Sequence, residues 1–379
     1  MKDLLEIRDE IDKIDREVVK LFEGRMKLAS EVAEYKMETG KKIYDKARED
    51  EKLAVLSQLA HTDFNKHSVM ELFTQIMSMS RKYQYSLLSS TREPFPFTLV
   101  DTIKADGNTK VICFGERGSY TEQAMEEYFK CRPDATFGKS FRSIMESVKK
   151  GEATYGILPI ENTSTGGIAD IYDLLMEYNN SIVGEYVIKV EHALLGLPEA
   201  TLGDITKVYS HPQGLMQCDK FLQNNSNIQP FAFSSTADSA LKVLEEKEIS
   251  IGAIASKRAA DVYGLKVLAE AINKEETNST RFIIITKNQV YSSDANKLSI
   301  CFEIPHKSGS LYNMLSHFIY NNINMTKIES RPLEGRNFEY RFFIDVEGNL
   351  EEAGVKNALF GIGEEAVNLK ILGNYKRII

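Results

Sequence analysis

YGILPIENTSTGGIADIYDLLMEY, residues 155–178, contains an apolar run, a polar turn with two glycines, and a segment with helical periodicity. A short apolar run bounded by turn residues is typical of a buried strand. Strand-like runs alternate with helical segments elsewhere between residues 110 and 287, as in VICF, ISIGAIAS and RFIIIT. This alternation predicts an α/β domain over residues 110–287.

The segments on either side have other patterns. Apolar residues recur every three or four positions over residues 4–35, which predicts a long helix with one apolar seam. Shorter helices are predicted at about 45–60 and 68–88, so residues 1–91 form a predicted all-α domain. The prolines and glycine of residues 92–109 predict a linker.

The last block, residues 297–379, has segments in the order β-α-β-β-α-β. This order is the ferredoxin-like pattern. The predicted fold class is therefore multidomain: all-α, then α/β, then α+β.

Composition excludes several classes of protein. The formal net charge of -8 gives no electrostatic basis for binding nucleic acid. No apolar run approaches the ~20 residues that cross a bilayer. Four scattered cysteines indicate free thiols rather than a zinc site or disulfides. The sequence contains neither GxGxxG nor GxxxxGK[ST], the glycine-rich motifs of nucleotide-binding enzymes. We expect a cytoplasmic protein without metal or cofactor.

Three cations border the apolar seam of the first helix. Arg25 occupies a seam position, Lys36 lies on the same face about three turns later, and Arg8 flanks the seam near its start. Snorkelling side chains or interhelical salt bridges would explain any one of them. Arg8 and Lys36 are roughly 42 Å apart along a straight helix, so a small ligand that needs both predicts a second copy of the chain.

The other two helices contribute polar groups at helical spacing. Ser80 and Gln84 are one turn apart on the third helix, and the second helix carries Asp45, Arg48 and Glu49. Together with the cations, these side chains predict an interior site for a small dianion.

The helical segments LLEIRDEIDKIDREVVKLFEGRMKLASEVAEYK, IYDKARE and LFTQIMSMSRKYQ resemble the all-helical chorismate mutases over residues 1–90. The resemblance implies an intertwined dimer, or a higher homo-oligomer, that rearranges chorismate to prephenate. It implies a substrate-binding set of Arg8 from the partner chain, Arg25, Lys36, Asp45, Arg48, Glu49, Ser80 and Gln84.

The rearrangement is pericyclic and requires no nucleophile, so the residues must hold a compact conformer and stabilise charge at the ether oxygen. We assign Lys36 and Gln84 to that oxygen, and Arg8 and Arg25 to the two carboxylates.

Several predicted turns of the α/β segment collect oxygen and nitrogen groups at helix starts. Such starts attract anions because their backbone N–H groups are free, although most polar turns merely cap helices. The candidates are Ser119, Glu161, Asn162, Thr163, Ser164, His211, Gln213 and Ser235.

The motifs GERGSYTEQA, GILPIENTSTG, YSHPQ, SSTADSA and NSTRF resemble prephenate dehydratase over residues 110–287. The resemblance implies a two-lobed fold like the periplasmic binding proteins and loss of CO2 and water from prephenate in the cleft. It also implies that Thr280 is essential, that Arg281 anchors a carboxylate and that Phe282 shapes the pocket. From the chemistry alone we expect Glu161 to donate the proton, if burial raises its pKa.

The motifs KSGSLYNML and KIESRPLEG resemble the ACT module, which binds amino acids between paired domains. The implied effector is phenylalanine, and the alternative is a packing domain without a ligand. Tyr312 is larger than the residue usual at its position. The implied ligand-binding residues are Gly309, Ser310, Leu311, Glu329, Ser330, Arg331 and Pro332.

These resemblances predict a bifunctional enzyme that converts chorismate to phenylpyruvate. Two alternatives remain for the α/β domain: dehydration of arogenate, or ligand sensing without catalysis.

Overall fold

The computed structural model describes residues 2–88, 95–275, 277–333, 335–336 and 339–377. The chain divides into two compact units, Met1–Phe95 with Cys301–Lys370, and Pro96–Ile300 with Ile371–Ile379. The sequence predicted three successive domains, whereas here the N-terminal helices share one unit with most of the C-terminal block, residues 301–370. Among the described residues, no helix is both long and apolar enough to span a membrane.

The first unit begins with three helices. Asp3 and Glu6 form a capping box before the first helix, and Gly40 ends it with a φ of 67°. The third helix starts five residues earlier than predicted, where the Thr62 hydroxyl accepts a hydrogen bond from the Asn65 amide at 3.1 Å. The helices are α1 (Leu4–Thr39), α2 (Lys46–Gln58) and α3 (Asp63–Leu88).

The apolar seam of α1 is largely solvent-exposed in the single chain. Ile14, Leu21 and Leu28 are each at least 60% exposed, and the buried residues of the helix are only Ala29 and Ala33. An exposed stripe of this length is unusual for a helix that has all its packing partners.

The second unit begins with the α/β region. Its elements are β1 (Thr98–Val100), β2 (Lys110–Phe114), α4 (Tyr120–Phe129), β3 (Asp134–Gly138), α5 (Phe141–Lys150), β4 (Tyr155–Asn162), β5 (Gly166–Gly167), α6 (Ala169–Glu177), β6 (Ser181–Lys189), β7 (His192–Gly196), β8 (Lys207–Ser210), α7 (Pro212–Gln217), α8 (Asp219–Asn224), β9 (Gln229–Ala232), α9 (Thr236–Glu246), β10 (Ile251–Ser256), α10 (Lys257–Tyr263), β11 (Lys266–Ala269), β12 (Ser279–Thr286) and β13 (Val290–Ser292).

These elements form two lobes. The first contains strands in the order β6-β12-β4-β2-β3, and the second contains the five-stranded sheet β11-β7-β10-β8-β9. The chain enters the second lobe between β6 and β7 and returns between β11 and β12. The predicted two-lobed α/β fold is therefore confirmed.

Two details differ from the sequence prediction. Strand β4 extends through Glu161 and Asn162, because these residues pair with both β12 and β5. The predicted linker contains β1, which pairs in parallel with β13; residues 92–94 of that linker lie outside the described part of the chain. The four cysteines are free as predicted, but Cys131 is only half-buried.

The C-terminal block contains the predicted β-α-β-β-α-β order. Strand β15 lies at the edge and is followed across the sheet by β16, β14 and β17. Glu334 of the predicted turn lies outside the described residues. The elements are β14 (Lys297–Glu303), α11 (Ser310–Tyr320), β15 (Met325–Pro332), β16 (Tyr340–Glu347), α12 (Ala353–Glu365) and β17 (Asn368–Arg377).

Within the first unit, α12 packs closely on α3 and α11. A Cβ atom at Gly361 would lie 2.4 Å from Cε1 of His317 and 3.2 Å from Cδ2 of Tyr85, so only glycine permits this approach. Ile43, Tyr85 and Leu88 form a buried cluster with Phe360 of α12 against it. The N-terminal helices therefore use the C-terminal block as part of their core.

Candidate functional sites

A cavity of about 260 Å³ lies among α1, α2 and α3. Seven of the eight side chains predicted for a dianion site line it. The lining residues are Arg25, Leu28, Ala29, Val32, Lys36, Ile43, Asp45, Arg48, Glu49, Lys52, Met77, Ser80, Arg81 and Gln84.

Arg8 is the predicted residue that the cavity lacks. It is exposed on α1, about 25 Å along the helix from Arg25 at 1.5 Å per residue. The distance agrees with the expectation that Arg8 serves a different copy of the site.

Two cations of the cavity, Arg25 and Lys36, are held by backbone and hydroxyl groups. Arg25 donates hydrogen bonds to the Ser80 hydroxyl and, at 3.5 Å, to the Ile76 carbonyl. Lys36 Nζ donates to the Ile43 carbonyl at 2.5 Å. Burial lowers the pKa of both cations, and this effect is opposed by Glu49 at Arg25 and chiefly by Asp45 at Lys36. A bound dianion would offset the cost of burying these charges.

The side chain of Gln84 has an unused hydrogen-bond acceptor among the described residues. Its Nε2 donates to the Ser80 carbonyl at 3.2 Å, and its Oε1 is buried with no partner among the described residues. Buried amide oxygens rarely stay unpaired. The side chain is therefore placed to bind a group that enters the cavity.

Sequence reasoning missed Arg81. Its guanidinium donates to both oxygens of Glu49, at 2.7 and 2.5 Å, and to both oxygens of Glu365, at 2.8 and 3.2 Å. Helical spacing could have marked Arg81, because it lies three residues before Gln84 and lines the same cavity.

A second cavity, of about 560 Å³, lies in the cleft between the two lobes. Residues of both lobes line it. They are Phe114, Gly115, Glu116, Ser119, Tyr120, Thr121, Lys139, Pro159, Asn162, Val190, His192, His211, Gln213, Gly214, Gln217, Ser234, Ser235, Thr236, Ala237, Asp238, Thr280 and Phe282.

Three helices begin at this cleft: α7, whose N-cap His211 lines it, α4 and α9. The Ser119 hydroxyl accepts from the Glu122 amide at 3.3 Å and caps α4, and Ser235 accepts from the Asp238 amide at 3.0 Å and caps α9. Helix starts favour negative charge nearby. Among the predicted helix starts, the one that follows Asn162, at α6, does not face the cleft, since no residue of α6 lines it.

Thr280 is oriented by a defined hydrogen-bond chain. The Ser164 amide donates to Asn162 Oδ1 at 2.9 Å, which fixes the orientation of that side-chain amide. Asn162 Nδ2 then donates to Thr280 Oγ1 at 2.9 Å and to Asn278 Oδ1 at 2.9 Å. Because Thr280 accepts this bond, its own hydroxyl proton remains to be donated into the cleft.

Glu161 and Arg281 do not line the cleft, which corrects two predictions. On β4 and β12 successive side chains point to opposite faces, so Asn162 and Thr280 face the cleft while Glu161 and Arg281 face away. Arg281 donates to Glu161 Oε2 at 3.1 and 2.8 Å, and to Glu185 Oε2 at 3.0 Å.

Thr163 and Ser164 are also absent from the cleft lining. The Thr163 hydroxyl accepts from the Ser279 amide at 2.9 Å, and the Ser164 hydroxyl donates to Asn278 Oδ1 at 3.1 Å. Both side chains therefore hold the segment before β12 rather than a ligand.

The cleft contains polar residues that the sequence analysis did not select. Lys139, which follows β3, is the only lysine or arginine among the lining residues described. His192 is buried, contacts Gln217 at 2.9 Å through Nε2, and burial lowers its pKa. The one sequence signal for His192 is its position at the start of the otherwise apolar run HALLG.

A third cavity, of about 340 Å³, lies in the C-terminal block. Gly309, with a φ of 79°, Ser310 and Leu311 line it as predicted. The predicted residues Glu329, Ser330, Arg331 and Pro332 lie instead on the edge strand β15 and do not line it.

Two family models match the chain. One, described as chorismate mutase type II, matches residues 7–85, and the other, described as prephenate dehydratase, matches residues 111–290. The first covers the helices around the small cavity, and the second covers both lobes of the cleft.

Similar proteins span nearly the whole chain. The bifunctional chorismate mutase/prephenate dehydratase of Aquifex aeolicus is 32% identical over 100% of this chain and 99% of its own length. Two solved structures each cover 71% of this chain. The prephenate dehydratase from Arthrobacter aurescens in complex with L-Phe is 28% identical with a TM-score of 0.65 over 90% of its chain. GqqA, described as a novel type of quorum quenching acylase, is 29% identical with a TM-score of 0.66 over 98% of its chain.

The fold and the family matches define a two-site enzyme in which an isomerase precedes a lyase. The chain belongs to the bifunctional chorismate mutase/prephenate dehydratase family, which confirms the function predicted from the sequence.

The position of Glu161 generates a prediction. In Glu161→Gln we expect dehydratase kcat/KM to stay within about threefold of the wild type, because the side chain lies outside the cleft. We expect the Tm to fall by a few degrees, since a partly exposed ion pair is worth about 1 kcal/mol. Steady-state kinetics across pH and thermal unfolding measure the two effects, and a lost limb of the pH profile would show that Glu161 does move a proton.

Proposed function

We propose that the helical cavity rearranges chorismate to prephenate and that the cleft converts prephenate to phenylpyruvate. The observation that supports the first assignment is the convergence of Arg25, Lys36, Glu49 and Gln84 from three helices on one cavity. The observation that supports the second is the hydroxyl of Thr280, aimed into a cleft of suitable size.

The mutase residues stabilise a compact, polar transition state. Arg25 and Arg8 of a second copy bind the carboxylates, while Lys36 and Gln84 bind the ether oxygen, where negative charge develops as the C–O bond breaks. Glu49 accepts a hydrogen bond from the substrate hydroxyl. Preorganised charges of this kind act because they need no rearrangement during the reaction.

The exposed seam of α1 supports a dimer. Ile14, Leu21 and Leu28 would leave water if a second α1 packed along them, and the same packing would bring the partner's Arg8 to the cavity. Residues 1–91 are accordingly the proposed mutase domain, and residues 297–379 the proposed regulatory domain. The cytoplasmic location stays a prediction.

Mixing two inactive variants tests the shared site. Arg8→Ala and Lys36→Ala should each lower mutase kcat/KM by about 100-fold or more. Refolded together, half of the dimers are mixed and each mixed dimer has one intact site, so about a quarter of wild-type activity should return. Lys27→Ala, an exposed change on α1, is the control, and absence of any recovery on mixing would contradict the shared site.

In the cleft, the electrons of the breaking C–C bond aromatise the ring and expel the ring hydroxyl. Thr280 donates a hydrogen bond to the departing hydroxide while CO2 leaves, and the hydroxide is neutralised after its release into the solvent. The α4 and α9 starts and Lys139 bind the carboxylates, and Phe282 packs on the ring. Lys139 thus takes the role that the resemblance assigned to Arg281.

Thr280→Val tests this role with a side chain of the same shape. We expect dehydratase kcat to fall by at least about 100-fold with mutase turnover unchanged, because only the donor hydroxyl is removed. Thr286→Val, at the far end of the same strand, is the matched control and should retain turnover. Wild-type dehydratase kinetics in Thr280→Val would overturn the assignment.

The same assay separates the alternatives. Arogenate has an ammonium group, and Glu116 and Asp238 in the cleft lining are suited to bind one. The similar proteins are named prephenate dehydratases, which favours prephenate as the substrate. Comparing turnover on prephenate and on arogenate decides between the two. A sensor without catalysis would form phenylpyruvate from neither.

We assign phenylalanine as the effector of the C-terminal block. The relative from Arthrobacter aurescens is described in complex with L-Phe, and the third cavity is lined by the predicted Gly309, Ser310 and Leu311. An effector acts by binding two states of the protein with different affinity.

Calorimetry tests this assignment. Phenylalanine should bind the full chain and Thr280→Val equally, because the cavity of the C-terminal block is separate from the cleft. Gly309→Val should lose binding, since a β-branched side chain is strained at a φ of 79°. Absence of binding heat in the wild type, or loss of it in Thr280→Val, would contradict the assignment.

A further inference from the structure

Glu49 of the helical cavity belongs to a buried ion network that extends to the C-terminal block. Arg81, with 7% of its side chain exposed, donates to both oxygens of Glu49 and to both oxygens of Glu365 at the end of α12. The guanidinium lies over the ring of Tyr44, with Arg81 Cζ 4.8 Å from the ring centroid. The planar guanidinium thereby fixes two carboxylates at once, one of which lines the cavity.

Glu365 is charged throughout the physiological range. Burial alone would raise its pKa, but contacts with His317 and Arg81 hold the pKa at about 2. Its carboxylate is 5% exposed and lies 3.3 Å from His317 Nε2. Because it is buried and charged, this carboxylate holds the Arg81 guanidinium in one position.

The neighbouring residue of α12 holds the start of α2. Glu364 Oε2 accepts hydrogen bonds from the Tyr44 amide and the Tyr85 hydroxyl, both at 3.0 Å. Tyr44 directly precedes Asp45, the N-cap of α2. Two consecutive carboxylates of α12 thus position the helix that supplies Asp45, Arg48 and Glu49 to the cavity.

We propose that Glu365 is a positioning residue for the mutase reaction: through Arg81 it sets the orientation of Glu49, so that the C-terminal block completes the mutase site. Arg81 is the second positioning residue. The inference rests on the proposed role of the cavity in mutase catalysis. A ligand that displaces α12 would then alter mutase kinetics without entering the cavity.

The test uses the full chain with Glu365→Gln, which removes the charge but keeps the shape. Arg81 then loses the charge of one of its two carboxylate partners and holds Glu49 less firmly, so the hydrogen bond from the substrate hydroxyl to Glu49 weakens. We expect the KM for chorismate to rise about tenfold, the factor that corresponds to one charge-assisted hydrogen bond, while kcat changes less. Dehydratase kinetics should be unchanged.

Two further variants separate positioning from loss of folding. Glu365→Asp keeps the charge and shortens the reach by one methylene, so its KM should lie between the wild type and Glu365→Gln. Glu351→Gln, an exposed change in the same block, should match the wild type. Loosened packing alone would lower the Tm and the active fraction, hence the apparent kcat, and leave KM unaltered.

The outcomes are distinct. A raised KM in Glu365→Gln with partial rescue in Glu365→Asp supports the proposal. Unchanged KM in Glu365→Gln overturns it, as does a fall in kcat alone. Should Glu365→Gln fail to fold, Glu365→Asp decides, because an unaltered KM there overturns the proposal. Absence of mutase activity in the wild type would instead defeat the proposed function.

Discussion

The pairing of β12 with β4 and β6 is the constraint on which the cleft depends. This strand carries the chain back from the second lobe and lies between two neighbours of the first. Its pleat presents Thr280 and Phe282 to the cleft and Arg281 to the opposite face, where Glu161 and Glu185 bind it. The backbone pairing with both neighbours fixes the register of β12, and the register places the Thr280 hydroxyl.

In the first unit, the three N-terminal helices do not form their core alone. The seam on α1 is exposed in the single chain, and α3 instead packs its C-terminal half against α12. The close approach at Gly361 makes that packing tight. Because the core of the helices includes α12, the cavity and the C-terminal block are mechanically linked within one unit.

Local spacing predicted the parts of the sites that local geometry creates. Ser80 and Gln84 are one turn apart on a helix, and they share the cavity as expected. The resemblance to prephenate dehydratase assigned both Thr280 and Arg281 to the pocket, but their adjacency on a strand sends the two side chains to opposite faces, and only Thr280 lines the cleft. The contact of Arg81 with Glu365 joins residues 284 positions apart, and no periodicity in the sequence encodes such a pair.

The two proposed sites offer different groups to a doubly charged substrate, and the chemistry of the two reactions accounts for the difference. In the proposed rearrangement both carboxylates remain, so the half-buried Arg25 can hold one of them while the half-buried Lys36 stabilises charge on the ether oxygen. In the dehydration one carboxylate must become neutral CO2. A strong ion pair there would stabilise the substrate more than the transition state and slow the reaction. The proposed anion-binding groups of the cleft, helix starts and the single lysine Lys139, would bind the carboxylate less tightly, which suits a group that has to leave.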